Sequence, residues 1–157
     1  MKAPLIKDFR YYAEKMAAYC AGAEHCLQDV RLKLKKEKVA DKDINAILKK
    51  LTDEGYIDEL RFAKAFVRGK FKINKWGRLM IQSELRKKQI PATVVNSALL
   101  EINENEYLNT LVALVESKRR VLGTRSRENE QKAARFAASK GYEPELIFRI
   151  IGKTEEN

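Results

Sequence analysis

Histidine occurs once in the 157 residues, at His25, and cysteine twice, at Cys20 and Cys26. Three clustered ligands with no fourth nearby fall short of a structural zinc set. A lone imidazole likewise gives no basis for a Cys/His or Ser/His catalytic pair, and no glycine-rich phosphate loop is present. Two thiols cannot build a disulfide framework, and a reducing cytoplasm would oppose one. Only three prolines (Pro4, Pro91 and Pro144) and seven glycines interrupt the chain, with no Ser/Gly-rich linker, so short turns are expected between elements. No apolar run approaches the roughly 20 residues needed to cross a bilayer. The N-terminus also lacks the apolar stretch and small-residue cleavage site of a signal peptide. The expectation from these absences is a cytoplasmic, non-catalytic chain with no metal, no cofactor and no membrane partner.

What remains is ordinary for a globular protein, 45% hydrophobic and 34% charged, and its apolar residues recur at helical spacing. After a loose lead-in over residues 1–10, a first helix carries Met16 and Tyr19 and breaks at Gly22. A second is expected from Glu24 to Lys38, with Cys26, Val30 and Leu34 at i, i+4, i+8. A third, capped by Asp41, carries Ile44, Ile47, Leu48 and Leu51 and ends at Gly55. Adding 51 to these numbers turns Val30, Leu34, Val39, Ile44, Leu48 and Leu51 into Ile81, Leu85, Ile90, Val95, Leu99 and Ile102. A further shift of 52 carries Ile90, Val94, Val95, Ala98 and Leu99 onto Tyr142, Leu146, Ile147, Ile150 and Ile151. Pro91 and Pro144 both fall near the first turn of the third helix of their unit, where the missing N–H costs nothing.

The fold class is therefore all-α: three tandem three-helix repeats, about 10–55, 56–102 and 103–152, in an elongated, curved array whose units bury their stripes against neighbours. Turns are expected near Gly22, Gly55, Asn74, Ile90, Asn103 and Gly141. Gly55 suits a left-handed helix C-cap and Asp58 an N-cap, which makes a tight corner between them.

Charge is concentrated behind that corner. Residues 61–88 hold ten bases and one acid, Glu84, a net of +9 out of the chain's +10. Arg61, Lys64, Arg68 and Lys72 share one helical face, with Phe62, Ala63, Phe66 and Lys70 toward the other; Arg78, Gln82 and Arg86 form a second polar track on the next helix. Most such runs are solvated faces. A window this unbalanced cannot neutralise itself by i,i+4 pairing, however, so it favours a binding patch for an anionic surface. The candidate partner- or DNA-contacting residues are Arg61, Lys64, Arg68, Lys72, Lys75, Arg78, Arg86, Lys87 and Lys88. Trp76 reads either as a stacking platform for bases or as a core anchor at a close helix crossing beside Gly77, and the pattern continuing to Met80 favours the anchor. A second basic cluster, Lys118, Arg119, Arg120, Arg125 and Arg127, ends a long helix with the stripe Leu108, Leu111, Val112, Val115. Cations at a helix C-terminus account for part of it without a ligand.

The string Gly55-Tyr56-Ile57-Asp58-Glu59-Leu60-Arg61-Phe62-Ala63, followed by Trp76-Gly77-Arg78-Leu79-Met80-Ile81-Gln82-Ser83-Glu84-Leu85-Arg86-Lys87-Lys88 and a Pro-started helix, resembles the central repeat of the RecX family. The resemblance extends over nearly the whole chain, by identity in the middle and by spacing in the outer units. Gln89 stands where that family usually has Gly, and Cys26 where a capping Ser is common. The resemblance implies three tandem three-helix repeats, no catalysis, and binding along RecA filaments on DNA to inhibit recombinase and ATPase activity, in recombination, repair and the SOS response; a monomer is a separate expectation. It also implies weak, non-specific binding to single- or double-stranded DNA. The rival expectation is a helix-turn-helix-like DNA-binding regulator whose helix from Lys75 would enter a major groove. A nucleic-acid-modifying enzyme is the third, without clustered acids or metal ligands to support it.

Overall fold

The computed structural model describes residues 6–155, with side chains through residue 152. Among the described residues there is no strand; nine helices follow in order. They are α1 (Phe9–Gly22), α2 (Leu27–Lys36), α3 (Asp41–Asp53), α4 (Glu59–Lys72), α5 (Arg78–Lys87), α6 (Ala92–Leu99), α7 (Glu104–Leu122), α8 (Arg127–Ser139) and α9 (Pro144–Glu155). Of the expected lead-in, residues 6–8 are irregular, and residues 1–5 lie outside the described residues. All six expected turns are present, and two more connect the described helices, at residues 37–40 between α2 and α3 and from Gly123 between α7 and α8.

Helix starts follow local chemistry. The side chains of Asp8, Asp58, Asn103 and Ser126 accept from the N–H groups of Tyr11, Arg61, Glu106 and Asn129, satisfying donors that have no intrahelical partner. Asp41 does not cap: Ala40 holds that position, and Asp41 joins Asp43 inside the first turn of α3, where negative charge suits the helix dipole. The second helix starts at Leu27 rather than Glu24, because Glu24 and His25 are turned aside, one to Arg61 and the other onto the Tyr19 ring. Cys26 takes the N-cap position, and its N–H donates to Asp29 Oδ2 at 3.3 Å.

The repeat is written in the backbone. The second helix of each triplet ends on one left-handed residue, Lys38 (φ 61°), Gln89 (φ 60°) and Gly141 (φ 94°). The amide after each reaches back to the last full turn: Val39 to the Leu34 carbonyl (3.2 Å), Ile90 to Leu85 (3.1 Å) and Tyr142 to Ala137 (3.3 Å). This is a Schellman corner, and Gly55 (φ 78°) builds another at the end of α3. Lys38 and Gln89 tolerate the left-handed conformation at a cost of about 1–2 kcal/mol each, which shows how Gln89 can stand where glycine is usual. Only Gly141 has no room for a side chain, since a Cβ there would lie 2.4 Å from Met80 Cβ.

Helices pack within triplets: α1 and α2 on α3, α4 with α5 and α6, and α8 with α7 and α9. The first triplet has its own core, including Met16, Val30, Leu34, Ile44, Ile47 and Leu51. The other six helices share one continuous core, which also receives Cys26 from the first triplet. Four positions that the aromatic and helical pattern places in the core differ, and the first, Tyr56, is exposed. Phe62 is buried, but Phe66 and Trp76 are only half-buried against the core edge, with Lys70 Nζ over both rings at 5.5 and 4.8 Å. Trp76 precedes α5 rather than starting it, so Lys70 covers it in place of a helix. On α7 the buried stripe is Tyr107, Leu111, Val115 and Arg119, at i, i+4, i+8, i+12, which leaves Val112 exposed.

Candidate partner-docking surface

The α4 track forms as its spacing requires: Phe62, Ala63, Val67 and Phe71 go inward while Arg61, Lys64, Arg68 and Lys72 stay outward. Asp58, Leu60, Arg61, Lys64 and Arg68 line a shallow depression of about 300 Å³. Three of the bases are nevertheless partnered. Arg61 Nε donates to Glu24 at 2.6 Å, and its Nη2 donates to the Gly55 and Tyr56 carbonyls. Lys64 and Arg68 share the Glu101 carboxylate at 3.5 and 3.2 Å. These ion pairs are solvent-exposed enough to stabilise by only about 0–1 kcal/mol each, so a partner's anion can exchange with them.

The second track behaves differently. Arg78 is not on an open face: its side chain is 20% exposed, bonds to Glu143 (2.7 Å) and Glu104, and lies 3.9 Å from the Tyr107 ring centroid. The Arg78 N–H donates to the Tyr107 hydroxyl at 3.0 Å, and that hydroxyl donates in turn to Glu143. Burial, with the hydrogen bond to Glu143, holds the Tyr107 phenol far above its ordinary range, so it remains a donor at neutral pH. Around this chain the backbones meet directly. Gly77 N–H donates to the Lys140 carbonyl (2.7 Å), Leu79 N–H to the Gly141 carbonyl (2.9 Å), and the Tyr142 hydroxyl to the Lys75 carbonyl (2.8 Å). The N-terminus of α5 is thus seated on the corner that ends α8.

The same joint recurs one triplet earlier, built from side chains. Leu27 N–H at the start of α2 donates to Glu59 Oε1 at 2.7 Å, and Lys88, at the corner ending α5, pairs with Asp29 at 2.9 Å. Burial raises the Glu59 carboxyl above its usual range. Burial also opposes ionisation of Asp29, but Lys88 and the Cys26 N–H outweigh it and hold Asp29 low. Burial pushes the Cys26 thiol up to about 11, which keeps it protonated and unreactive.

Six of the nine candidate residues therefore carry ion pairs: Arg61, Lys64, Arg68, Arg78, Lys87 (with Glu84) and Lys88. The window does not neutralise itself, since Lys87–Glu84 is its one internal ion pair among the described residues, but acids from outside it partner five of its ten bases. The acids differ along the window: Glu24 and Glu101 meet the bases of α4, Glu143 and Glu104 meet Arg78, and Asp29 meets Lys88. Lys72, Lys75 and Arg86 are exposed, with no carboxylate partner among the described residues. Chemically the surface can attract anions, and among the described residues no three His, Cys, Asp or Glu side chains cluster to hold a metal ion.

Two family models match this chain, described as the second three-helix domain of RecX, over residues 58–99, and the third, over residues 104–151. The chain belongs to the RecX family. It is 31% identical over 134 residues to the regulatory protein RecX of Geobacillus thermodenitrificans, covering 82% of this chain and 50% of that protein. It is also 31% identical over 94 residues to that of Prosthecochloris aestuarii, covering 60% and 62%. The chain spans about half to three-fifths of the length of these relatives. The crystal structure of RecX from Lactobacillus salivarius has the same fold, with a TM-score of 0.84 at 22% identity over 98% of this chain and 100% of that one. A crystal structure of regulatory protein RecX gives 0.83 at 22% identity over 98% and 81%.

In this RecX-family chain, the close crossing at Gly77 was legible, but sequence reasoning missed the hydroxyl bonds of the two tyrosines that complete the joint. Tyr107 and Tyr142 are fully buried and pack ring against ring, tilted by 36° with centroids 5.1 Å apart, and both hydroxyls bond to residues at the start of the α5 segment. The available signal was Tyr107 lying four residues before Leu111, on the same stripe. Arg119, expected in a basic cluster, is 7% exposed and holds Glu130 through two bonds of 2.9 and 2.6 Å, with Glu116 beside it.

Proposed function

We propose that this chain is a non-catalytic regulator that binds along RecA filaments on DNA and lowers their recombinase and ATPase activities. It acts as a cytoplasmic monomer whose three triplets are the repeats at about 10–55, 56–102 and 103–152. Family membership supports a regulatory role, as the relatives are named regulatory proteins. The observation that carries the surface assignment is that Lys72, Lys75 and Arg86 are exposed and unpaired among the described residues, while most neighbouring bases are paired. Cations that the array does not use internally leave a positive field for an anionic partner, protein or phosphate. Arg61, Lys64, Arg68 and Lys87 add charge that exchanges partners, and Arg78 and Lys88 contribute by holding the joints.

The helix-turn-helix alternative is disfavoured by the same joint. Such a regulator reads base edges from the N-terminal residues of its recognition helix, yet here that end of α5 is hydrogen-bonded to Lys140 and Gly141.

The test is RecA-dependent ATP hydrolysis on single-stranded DNA, with the chain and with its Lys72→Glu/Arg86→Glu variant. The chain should lower hydrolysis, and the variant should lose most of that effect while melting normally. Full inhibition by the folded variant would move the interface elsewhere, and no inhibition by the unaltered chain would sink the RecA reading itself.

A further inference from the structure

Away from the basic tracks, α8 and α9 enclose an open groove of about 340 Å³ whose floor is apolar: Ala134, Ala138, Pro144, Phe148 and Ile151. Phe148 is 76% exposed within it. The left-handed corners at Lys38, Gln89 and Gly141 fix which residues correspond across the triplets. Ala134 matches Gln82 and Arg31, Ala138 matches Arg86 and Lys35, and Phe148 matches Asn96 and Asn45. In the first triplet this face is a solvated polar one, with Arg31 donating to Asn45 at 3.1 Å. The third triplet replaces all three polar side chains with apolar ones. Ala133, Ala137 and Ile147 fill the core side and Ala134 packs at its edge, whereas Ala138 and Phe148 are exposed and serve no core contact.

Charge indicates the occupant. Arg127 and Arg135 line the groove, both exposed and neither in an ion pair among the described residues, whereas the groove's acid, Glu130, is committed to Arg119. A second copy of this chain, also at +10, would oppose arginine to arginine there. An apolar floor with two basic residues along its α8 wall fits an amphipathic helix laid into a groove, with apolar anchors one turn apart and acids along one flank. We propose that the α8–α9 groove docks a short acidic amphipathic segment of a partner protein, its apolar side chains on Phe148 and Ile151 and its carboxylates on Arg127 and Arg135. This surface is independent of the basic α4–α5 face.

The experiment titrates the isotope-labelled full chain with a synthetic helical peptide of leucines and glutamates, and with its leucine–lysine counterpart, following backbone amide shifts. Saturable shifts confined to α8 and α9 are expected, at least tenfold weaker for the lysine peptide and for Phe148→Asn, which installs the second triplet's residue. Because Phe148 is exposed, Phe148→Asn should melt like the unaltered chain, and Arg127→Glu/Arg135→Glu should also weaken the glutamate peptide at least tenfold. The proposal is overturned by no saturable shift, by equal binding of the two peptides, or by shifts elsewhere. Groove shifts that appear on concentrating the chain alone, with a doubling of mass, would assign the groove to a second copy and overturn it too.

Discussion

Gly77→Ala tests whether the joint between the second and third triplets is a backbone-to-backbone contact. Gly77 has φ −78° and ψ 167°, which alanine adopts freely, so the substitution adds no conformational strain. It adds one methyl group, which would lie 2.3 Å from the Gly141 carbonyl carbon and oxygen and 2.5 Å from Tyr142 N. Ordinary contact begins near 3.4 Å, so the α5 end must retreat by about 1 Å. That retreat stretches the Gly77–Lys140 and Leu79–Gly141 bonds, contributing about 0.5–1.5 kcal/mol each, and over-packing itself costs about 1–3 kcal/mol. The expected destabilisation is about 2–5 kcal/mol, read by urea denaturation with far-UV circular dichroism. Gly69→Ala is the control: it sits inside α4 with nothing within 4 Å of a new Cβ, and should stabilise by about 0.5–1 kcal/mol. Hydrogen exchange at the Leu79 amide should quicken in Gly77→Ala and not in Gly69→Ala. A Gly77→Ala protein within 0.5 kcal/mol of the parent, with Leu79 still protected, would refute the joint as described.

Arg78→Glu would set three carboxylates together at Glu104 and Glu143 and should cost about 3–5 kcal/mol, whereas exposed Arg86→Glu should stay within about 0.5 kcal/mol; equal melting temperatures would contradict the burial difference. Phe62→Ala should cost about 3–5 kcal/mol and Phe66→Ala clearly less, since only Phe62 is fully inside; reversed values in denaturation would show the face assignment is wrong. Arg119 holds the Glu130 carboxyl below its ordinary range through their hydrogen bonds, so this stability is present above the unfolded pKa of 4.5 and lost as pH falls through the lower folded value. Glu130→Gln should therefore lose about 3 kcal/mol at neutral pH, with the gap to the parent closing below pH 4.5; a pH-independent gap would mean packing, not charge, holds that site.

Much of the fold was legible because it is set by short-range periodicity. Val30, Leu34, Ile44 and Leu51 recur at helical spacing and again 51 residues later as Ile81, Leu85, Val95 and Ile102, and an amphipathic stripe has no partner but a neighbouring helix. Gly55 and Asp58 marked their corner because left-handed backbone and free N–H groups are local demands. Asp41 misled because several residues can satisfy the same helix start, and which one does so depends on the path of the preceding chain. Only the tertiary structure decided what the basic residues meet. Their acids lie far away in sequence: Glu24 is 37 residues from Arg61, Glu101 is 33 from Arg68, Asp29 is 59 from Lys88 and Glu143 is 65 from Arg78. Counting charge along a window registers neighbours within a turn of helix, whereas Coulombic pairing follows distance in space, and folding places those acids against the bases.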